Sequence, residues 1–411
     1  MKFFKKLLKW MVIIALFVIV AILGSVYYIY SGLSDMSEAK FKFSSTYDTI
    51  PFYFSNSGHM LIDVKFGKES NTYPFILDSG ASNTIFARFA DDFDLEDNGY
   101  LPSIGSLGNF FWSEVKEIDR LKLGNLAFTD LNFQVSSISG QCIEAYGIIG
   151  IGVMRHLVWQ IDFEEQILIV TKELSDQTIA SSDLKFDLDQ NPYGHQLYIP
   201  VHLSKGKKNI DVCVDLGSSG YLSLDENLIL RDSLKLKSKT IFGEGSGGLG
   251  EQKEAVAQEK IYLMDTLKFS DTDFQINNLP INSQKGHLDL LGLGFFRKFK
   301  TTISWRDNRL ILSPIDSLDF MPKIIGFNMN FEEESKETFI STVIKNSPAQ
   351  KAGIQLDQKV IDINGIAIKN SDDFCKARSA LQKDKIIDVH IKDNNMSKHY
   401  KVKEEYLFEL N

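Results

Sequence analysis

The chain has 411 residues and 44% hydrophobic content, enough for two or three folded domains, which excludes a wholly disordered chain. A net charge of −9 without a basic, aromatic-rich stripe argues against a nucleic-acid partner. Three distant cysteines without a C-x-x-C pair, Cys142, Cys213 and Cys375, argue against a disulfide framework or zinc site, and the seven histidines lack ligand spacing. We therefore expect no metal and no cofactor.

The first predicted element is an apolar helix. A run from Trp10 to about Tyr30 follows four lysines and is long enough to span a bilayer. We predict a single-pass anchor over residues 1–31 with a cytoplasmic N-terminus, which places the remainder outside the cytoplasm, in the periplasm if the source is Gram-negative. A cleaved signal peptide is the alternative, and it changes the anchoring without changing the compartment.

The middle of the chain contains a duplication. The segment YGIIGIGVMRHLVWQIDFEEQILIV from Tyr146 aligns without a gap with LDLLGLGFFRKFKTTISWRDNRLIL from Leu288, at an offset of 142. Upstream, PFILDSGASNTIF from Pro74 corresponds to DVCVDLGSSGYLSL from Asp211, at an offset of 137. Short alternating runs such as MLIDVKF predict strands. We expect two β-rich lobes: lobe 1 at about 45–173 and lobe 2 at about 185–315.

Each repeat carries an aspartate at the end of an apolar strand, directly before a turn rich in Gly and Ser. These residues are Asp78 and Asp215. A duplication of this kind brings two carboxylates together across a pseudo-twofold axis. Because two such close carboxyl groups do not both ionise readily, they share a proton, and one serves as base while the other serves as acid toward a bridging water.

The sequence ILDSGAS, with the later IIG at Ile148–Gly150, resembles the signature of pepsin-like and retroviral-type aspartic proteases. Lobe 2 offers VDLGSS and LLG at Leu290–Gly292. The resemblance covers both lobes and implies a mainly β, bilobal fold of two homologous pepsin-like or retropepsin-like barrels. It also implies an aspartic endopeptidase that hydrolyses polypeptide substrates with water activated by Asp78 and Asp215, without a metal or a covalent intermediate.

The resemblance assigns supporting roles to the loops around the two aspartates. Gly80 and Gly217 would permit the tight turns, Ser79 would bond to the backbone of the opposite loop, and Ser218 would bond to Asp215. The second motif departs from the family in having Leu216 where Ser or Thr is usual, which removes half of the bracing between the loops. The alternative is therefore a catalytically impaired scaffold that acts as a membrane-tethered peptide-binding module.

Two glycine-containing loops fall where such proteases carry the flap that closes over substrate. One lies near Gly105 and Gly108, and the other runs from Gly243 to Gly250. Aromatic residues that follow the first loop would cover a bound peptide: Phe110, Phe111 and Trp112. The second loop also fits G-x-G-x-x-G, but it lacks the strand, the helix and the acidic residue of a dinucleotide site.

From about Pro322 the pattern changes to strands interrupted by two short helical stretches. The order Ile325-Gly326-Phe327, then NSPAQKAGI, then VIDINGIAI resembles a bacterial-type PDZ domain, predicted as an α+β domain over 322–406. The resemblance implies that an extended or C-terminal peptide adds a strand to a sheet edge, with its carboxylate held by the Ile325–Phe327 loop. Together the two resemblances indicate a bacterial family of PDZ-bearing aspartyl proteases.

Helix signals in this C-terminal domain are specific. Ser347 and Ser371 are predicted as the caps of the two helices, and Phe374 and Leu381 are expected to face the core. The alternative to peptide binding is an occluded PDZ groove that only packs against the protease lobes.

Overall fold

The computed structural model describes residues 2–43, 45–67, 71–137, 142–175, 180, 182–203, 209–231, 235–244, 259–270, 272–315, 317–393 and 396–409. Within these ranges the fold is mainly β, and this prediction is confirmed. The helices are α1 (Lys2–Ser37), α2 (Ile151–Met154), α3 (Glu226–Arg231), α4 (Leu293–Phe296), α5 (Pro348–Ala352) and α6 (Ser371–Lys383), with a 3-10 helix at Ala87–Asp92.

The strands follow in chain order. The first thirteen are β1 (Lys40–Phe43), β2 (Tyr47–Phe54), β3 (Met60–Phe66), β4 (Tyr73–Leu77), β5 (Thr84–Phe86), β6 (Glu96–Ile104), β7 (Phe110–Ile118), β8 (Leu121–Leu123), β9 (Leu126–Thr129), β10 (Leu131–Ser136), β11 (Gly147–Ile149), β12 (Val158–Asp162) and β13 (Ile167–Thr171). The next eleven are β14 (Leu184–Asp187), β15 (Asp189–Gln190), β16 (Leu197–Leu203), β17 (Asn209–Asp215), β18 (Leu222–Asp225), β19 (Lys237–Gly243), β20 (Lys260–Phe269), β21 (Gln275–Gln284), β22 (Leu290–Gly292), β23 (Phe299–Ser304) and β24 (Arg309–Pro314). The C-terminal domain contains β25 (Lys323–Ile324), β26 (Phe327–Glu332), β27 (Glu337–Ile344), β28 (Lys359–Ile363), β29 (Ile366–Ala367), β30 (Ile386–Asp393), β31 (Met396–Lys403) and β32 (Glu405–Tyr406).

The two lobes share one sheet. Its strands run in the order β2-β13-β12-β23-β24-β14, and the lobes meet where β12 pairs antiparallel with β23. Gln160 lies opposite Thr302 in that pairing. The same two residues are equivalent positions of the sequence repeat, because they are 142 apart. A pseudo-twofold axis therefore passes through this pair, and one apolar core cluster extends through both lobes.

Each lobe places its aspartate with the same three-strand arrangement. In lobe 1, β11 pairs parallel with β4 and antiparallel with β5, and in lobe 2, β22 pairs parallel with β17 and antiparallel with β18. The strands β4 and β11 are continuous apolar runs because neighbours cover both of their faces. Asp78 follows β4 directly, and Asp215 is the last residue of β17.

The C-terminal domain has its own apolar cluster and two capped helices. Ser347 accepts a hydrogen bond from the Gln350 N–H and caps α5, as predicted. Asn370 caps α6 by accepting from the Asp373 N–H, so the prediction of Ser371 as the cap was wrong by one residue. Phe374 and Leu381 are buried, as expected.

A strand pairing and a disulfide bond are among the described links between the C-terminal domain and the lobes. Strand β19 of lobe 2 pairs antiparallel with β27, with Ile241 opposite Ile344. Cys142, in the segment that leads to β11, forms a disulfide bond with Cys375 on α6. The sequence argued against a disulfide framework, and this single bond corrects that expectation. Its two cysteines are 233 residues apart, so no local spacing of cysteines could reveal the pair. Cys213 is a buried free thiol.

Helix α1 is continuous to Ser37, so it includes much of the polar stretch that follows the apolar run. Its segment Lys6–Ser37 is long and apolar enough to cross a membrane, which is also true of a signal sequence. The last turns pack on lobe 1, where Met36 forms a small buried cluster with Leu101 and Val115. The Asn132 side-chain amide also donates a hydrogen bond to the Asp35 carbonyl at 3.2 Å.

Candidate active site

The loops after β4 and β17 hold their aspartates in the same way. The Gly80 and Ala81 N–H groups donate to Oδ1 of Asp78 at 2.8 and 3.2 Å. The Gly217 and Ser218 N–H groups donate to Oδ1 of Asp215 at 2.8 and 3.0 Å. Each carboxyl group is therefore oriented by two backbone donors of its own turn.

The two carboxyl groups face each other across the loops. A Cβ atom at Gly80 would lie 2.9 Å from Cγ of Asp215, and one at Gly217 would lie 2.0 Å from Oδ2 of Asp78. Both positions therefore require glycine, because a side chain at either one would collide with the carboxyl group of the opposite loop. This constraint is stronger than the tight turn that the sequence predicted. The Asp215 carboxyl is hydrogen-bonded to that of Asp78.

Burial controls the ionisation of this pair. Burial raises the pKa of Asp78, although the Gly80 N–H and the hydrogen bond from Asp215 act in the opposite direction. Burial raises the pKa of Asp215 well above its usual range, and the charge of Asp78 raises it further. Both carboxyl groups therefore resist ionisation, and a pair this close shares one proton. Among the described residues, no group of three or more potential ligands could hold a metal ion.

Ser79 connects the two loops. Its fully buried hydroxyl donates to the Val214 carbonyl at 2.7 Å and accepts from the Leu216 N–H at 3.0 Å. Leu216 has no hydroxyl to return this interaction, and its side chain is buried in the apolar core. The expected contact of Ser218 with Asp215 is made by its backbone N–H.

Gly150, which follows β11, and Gly292, the last residue of β22, pack against the two aspartate loops. A Cβ atom at Gly150 would lie 2.1 Å from the Ala81 carbonyl oxygen, and one at Gly292 would lie 2.4 Å from that of Gly220. The Ile151 N–H donates to the Ala81 carbonyl at 2.9 Å. These contacts explain why both halves carry glycine at the same repeat position.

Asn83 is a supporting residue that the sequence comparison missed. It is fully buried, and its Oδ1 accepts a hydrogen bond from the Gly150 N–H at 2.9 Å. In lobe 2 the Gly292 N–H donates instead to the Tyr221 carbonyl. Comparison of the two halves could not reveal Asn83, because the equivalent position is Gly220.

The predicted flap is a hairpin of β6 and β7 whose tip reaches lobe 2. The Gly105 N–H donates to the Asn109 carbonyl, and Gly108 closes the turn with φ +75°. The Leu288 N–H donates to the Ser106 carbonyl at 2.8 Å. Phe111 and Trp112 are 41% and 55% exposed and alternate between the faces of β7. The second predicted flap loop lies outside the described residues from Gly245 to Gly250.

The Ile325–Phe327 loop lies at the start of β26, next to α5. Gly326 adopts φ +95°, and its carbonyl accepts from the Ile344 N–H at 2.9 Å and from the Ser347 hydroxyl at 3.2 Å. A Cβ atom at Gly326 would lie 2.2 Å from Cβ of Ser347, so this position has room only for glycine. The loop is thus shaped by the segment that caps α5.

Residues 339–387 match the family model for a PDZ domain. The C-terminal domain is a PDZ domain. A comparison with curated proteins finds no match. Among solved structures, the chain is similar to the aspartic proteinase from Irpex lacteus, with a TM-score of 0.45 and 13% identity over 65% of this chain and 97% of that chain. The PDZ match covers the strands and helices between β27 and the start of β30.

Proposed function

We propose that the protein is an aspartic endopeptidase that hydrolyses peptide bonds in the cleft between its two lobes. The observation that carries this proposal is the hydrogen-bonded carboxyl pair Asp78–Asp215, held by matching backbone donors on loops related by a pseudo-twofold axis. Such a pair keeps one proton over a wide pH range, which is the state that acid–base activation of water requires.

In the proposed reaction Asp78 acts as the base and Asp215 as the acid. Asp78 accepts a proton from a water molecule as the water oxygen bonds to the peptide carbonyl carbon, while Asp215 donates its proton to the carbonyl oxygen. Breakdown of the tetrahedral intermediate breaks the C–N bond, and Asp78 returns its proton to the leaving nitrogen. Asp215 regains a proton as the new carboxyl group forms, so the pair ends as it began.

We place the protease and PDZ domains outside the cytoplasm, held at the membrane by α1, with the N-terminus in the cytoplasm. Four lysines before the apolar run favour this orientation. The PDZ domain would bind an extended or C-terminal peptide of a substrate or partner. The Ile325–Phe327 loop would receive the peptide carboxylate.

A second candidate is a catalytically impaired scaffold that binds peptides without cleaving them. Leu216 favours it, because only Ser79 braces the two loops through a hydroxyl. A hydrogen bond contributes about 0.5–1.5 kcal/mol net, which is small compared with the effect of a catalytic carboxyl pair. The endopeptidase is therefore the better supported function.

The test is cleavage of a mixed peptide library by the purified protein from acid to neutral pH. Asp78→Asn and Asp215→Asn should each lower the rate by roughly 10²–10⁴-fold, the usual contribution of a general acid or base. Asp91→Asn, which changes an exposed carboxylate of lobe 1, should leave the rate unchanged. Absence of cleavage by the wild-type protein at every pH would favour the scaffold instead.

A further inference from the structure

The PDZ domain contains a trench between an open sheet edge and a helix. Among the described strands, β26 pairs with β27 alone, so its other edge is available for a further strand. Helix α6 lies against β26, and the rings of Phe331 and Phe374 are 5.9 Å apart. A peptide that extends the sheet at β26 would therefore lie beside α6.

One face of α6 borders this trench. Ser371, Cys375 and Arg378 follow the i, i+4, i+7 spacing of a single helix face, next to the buried stripe of Phe374 and Ala377. Ser371 lines a pocket of about 230 Å³ together with Phe331 of β26, so the start of α6 lies beside the end of β26. Cys375 thus belongs to the wall of the trench.

Lobe 1 is attached to that same wall. Cys142 is only 9% exposed and belongs to the apolar cluster of the PDZ domain, which also contains Ile325 and Phe327. Its sulfur is bonded to that of Cys375. A residue of lobe 1 is therefore buried in the PDZ domain and covalently bonded to α6, the helix that borders the trench.

Neighbouring parts of lobe 1 extend this contact. The pKa of His59 is lowered to about 4 by burial and by the positive charge of Arg378, so the turn that carries His59 lies near the next turn of α6. That turn is tied to the Cys142 segment, because the Asn56 amide donates to Glu144 at 2.6 Å. The Arg88 guanidinium donates a hydrogen bond to the Ile143 carbonyl at 3.0 Å and so also holds the segment that follows Cys142.

The second attachment of the PDZ domain does not involve this face. Strand β19 of lobe 2 pairs with β27, and the Thr342 hydroxyl donates to the Glu244 carbonyl at 2.7 Å. Loss of the disulfide bond would therefore leave the PDZ domain attached to lobe 2. Only the contact between lobe 1 and the wall of the trench would become free to separate.

We propose that the Cys142–Cys375 disulfide is a redox-controlled latch on the PDZ peptide groove. In the oxidised protein the lobe 1 segment 142–145 covers the α6 wall and competes with an extended peptide. A dithiol reductant opens the latch by thiol–disulfide exchange: its two sulfurs form a new disulfide, and Cys142 and Cys375 each gain one electron and one proton as thiols. The groove then accepts a peptide that ends in a free carboxylate.

The test uses the full chain in detergent micelles with the Asp78→Asn substitution, so that peptides are not consumed and the result does not depend on catalysis. The probe is a pool of random decapeptides with free C-terminal carboxylates, and retained peptides are quantified by mass spectrometry before and after treatment with dithiothreitol. We expect at least tenfold more retained peptide after reduction. The Cys142→Ser/Cys375→Ser variant should bind at the reduced level without reductant and should not respond to it.

Hydrogen exchange provides a readout that needs no ligand. Reduction should accelerate exchange at least tenfold in residues 142–145 and leave the amides paired between β19 and β27 unchanged. Alkylation under non-reducing, denaturing conditions should label one cysteine, Cys213. Equal peptide retention by the oxidised and reduced protein, unchanged exchange at 142–145, or three labelled cysteines before reduction would each overturn the proposal.

Discussion

At the scale of single residues, the two aspartates differ although their loops are alike. Both receive two backbone N–H donors, but Asp215 is buried whereas Asp78 is half-buried. The charge of Asp78 adds to burial in raising the pKa of Asp215. On this basis we propose the acid role for Asp215 and the base role for Asp78.

The raised pKa of Asp215 predicts a pH-dependent stability change. Because its folded-state pKa lies above the value of about 3.9 for an unfolded aspartate, its contribution to stability is complete below that pH and is lost as the pH rises. The Asp215→Asn substitution removes the ionisable group, and with it the loss of stability at higher pH. Chemical denaturation from pH 4 to pH 8 should therefore show the variant gaining stability relative to the wild type as the pH rises.

Asp162 supplies a control of opposite sign. Burial raises its pKa, but the Lys300 ammonium, 2.6 Å away, and backbone N–H donors outweigh burial and lower it overall. Its contribution to stability is therefore present above the unfolded pKa and is lost as the pH falls. A pH trend for Asp162→Asn in the same direction as that of Asp215→Asn would contradict the opposite pKa shifts of these two carboxyl groups.

Ser79 predicts a combined loss of stability and rate. Ser79→Ala removes a hydroxyl that makes two buried hydrogen bonds to the opposite loop, and we expect a loss of about 1–3 kcal/mol in the free energy of unfolding. The rate should fall with little change in KM, because the spacing of the two carboxyls would be less defined. Ser219→Ala, which changes an exposed serine of the lobe 2 loop, is the control and should alter neither quantity.

At the scale of elements, the site depends on loops that rest on buried glycines. The strands β4 and β11 bring the Asp78 loop within van der Waals contact of Gly150, where backbone atoms leave no space for a methyl group. The contacting atom is the Ala81 carbonyl oxygen, which cannot move without disturbing the N–H donors of Asp78. The packing at Gly150 and the orientation of the Asp78 carboxyl are thus coupled through the backbone.

Gly150→Ala should therefore destabilise the protein by about 1–3 kcal/mol or more and lower the cleavage rate. Thermal denaturation and kinetics of the same preparation measure both effects. Gly220→Ala is the matched control, because a Cβ atom there has no neighbour within 4 Å. Equal effects of the two substitutions would show that the close approach at Gly150 has no role.

At the scale of the whole molecule, α1 continues directly into lobe 1. The buried Met36 and the Asp35 carbonyl, which accepts from Asn132, anchor its last turns. The Tyr28 hydroxyl also donates to the Tyr100 carbonyl of β6 at 3.1 Å. Lobe 1 and its β6–β7 hairpin are consequently joined to the apolar helix without an intervening linker.

A soluble fragment should therefore retain the last turns of the helix. We expect a fragment that starts at Ser31 to exceed one that starts at Ala39 by about 2–4 kcal/mol in unfolding free energy, from burial of Met36 and the hydrogen bonds that Asn132 and Arg155 donate to this segment. Urea denaturation measures the difference. In the longer fragment, Met36→Ala should reproduce much of the loss, whereas Asp35→Ala should not, since its exposed side chain leaves the carbonyl in place.

The sequence by itself determined the elements whose signals are local or repeated. Apolar runs that end in Asp-Ser-Gly and Asp-Leu-Gly predicted the two carboxyl-bearing strands, and the offset of 142 predicted two similar lobes. Cap signals predicted α5 and, within one residue, α6. These predictions succeed because strand burial and helix capping depend on residues a few positions apart.

Only the tertiary structure decided the features that join distant segments. The meeting of the Asp78 and Asp215 carboxyl groups, the β19–β27 pairing and the Cys142–Cys375 bond all depend on how separate folding units pack. Asn83 also belongs to this class, since its partner Gly150 is 67 residues away. Packing depends on the shapes of both partners, and neither segment alone encodes the geometry at which they meet.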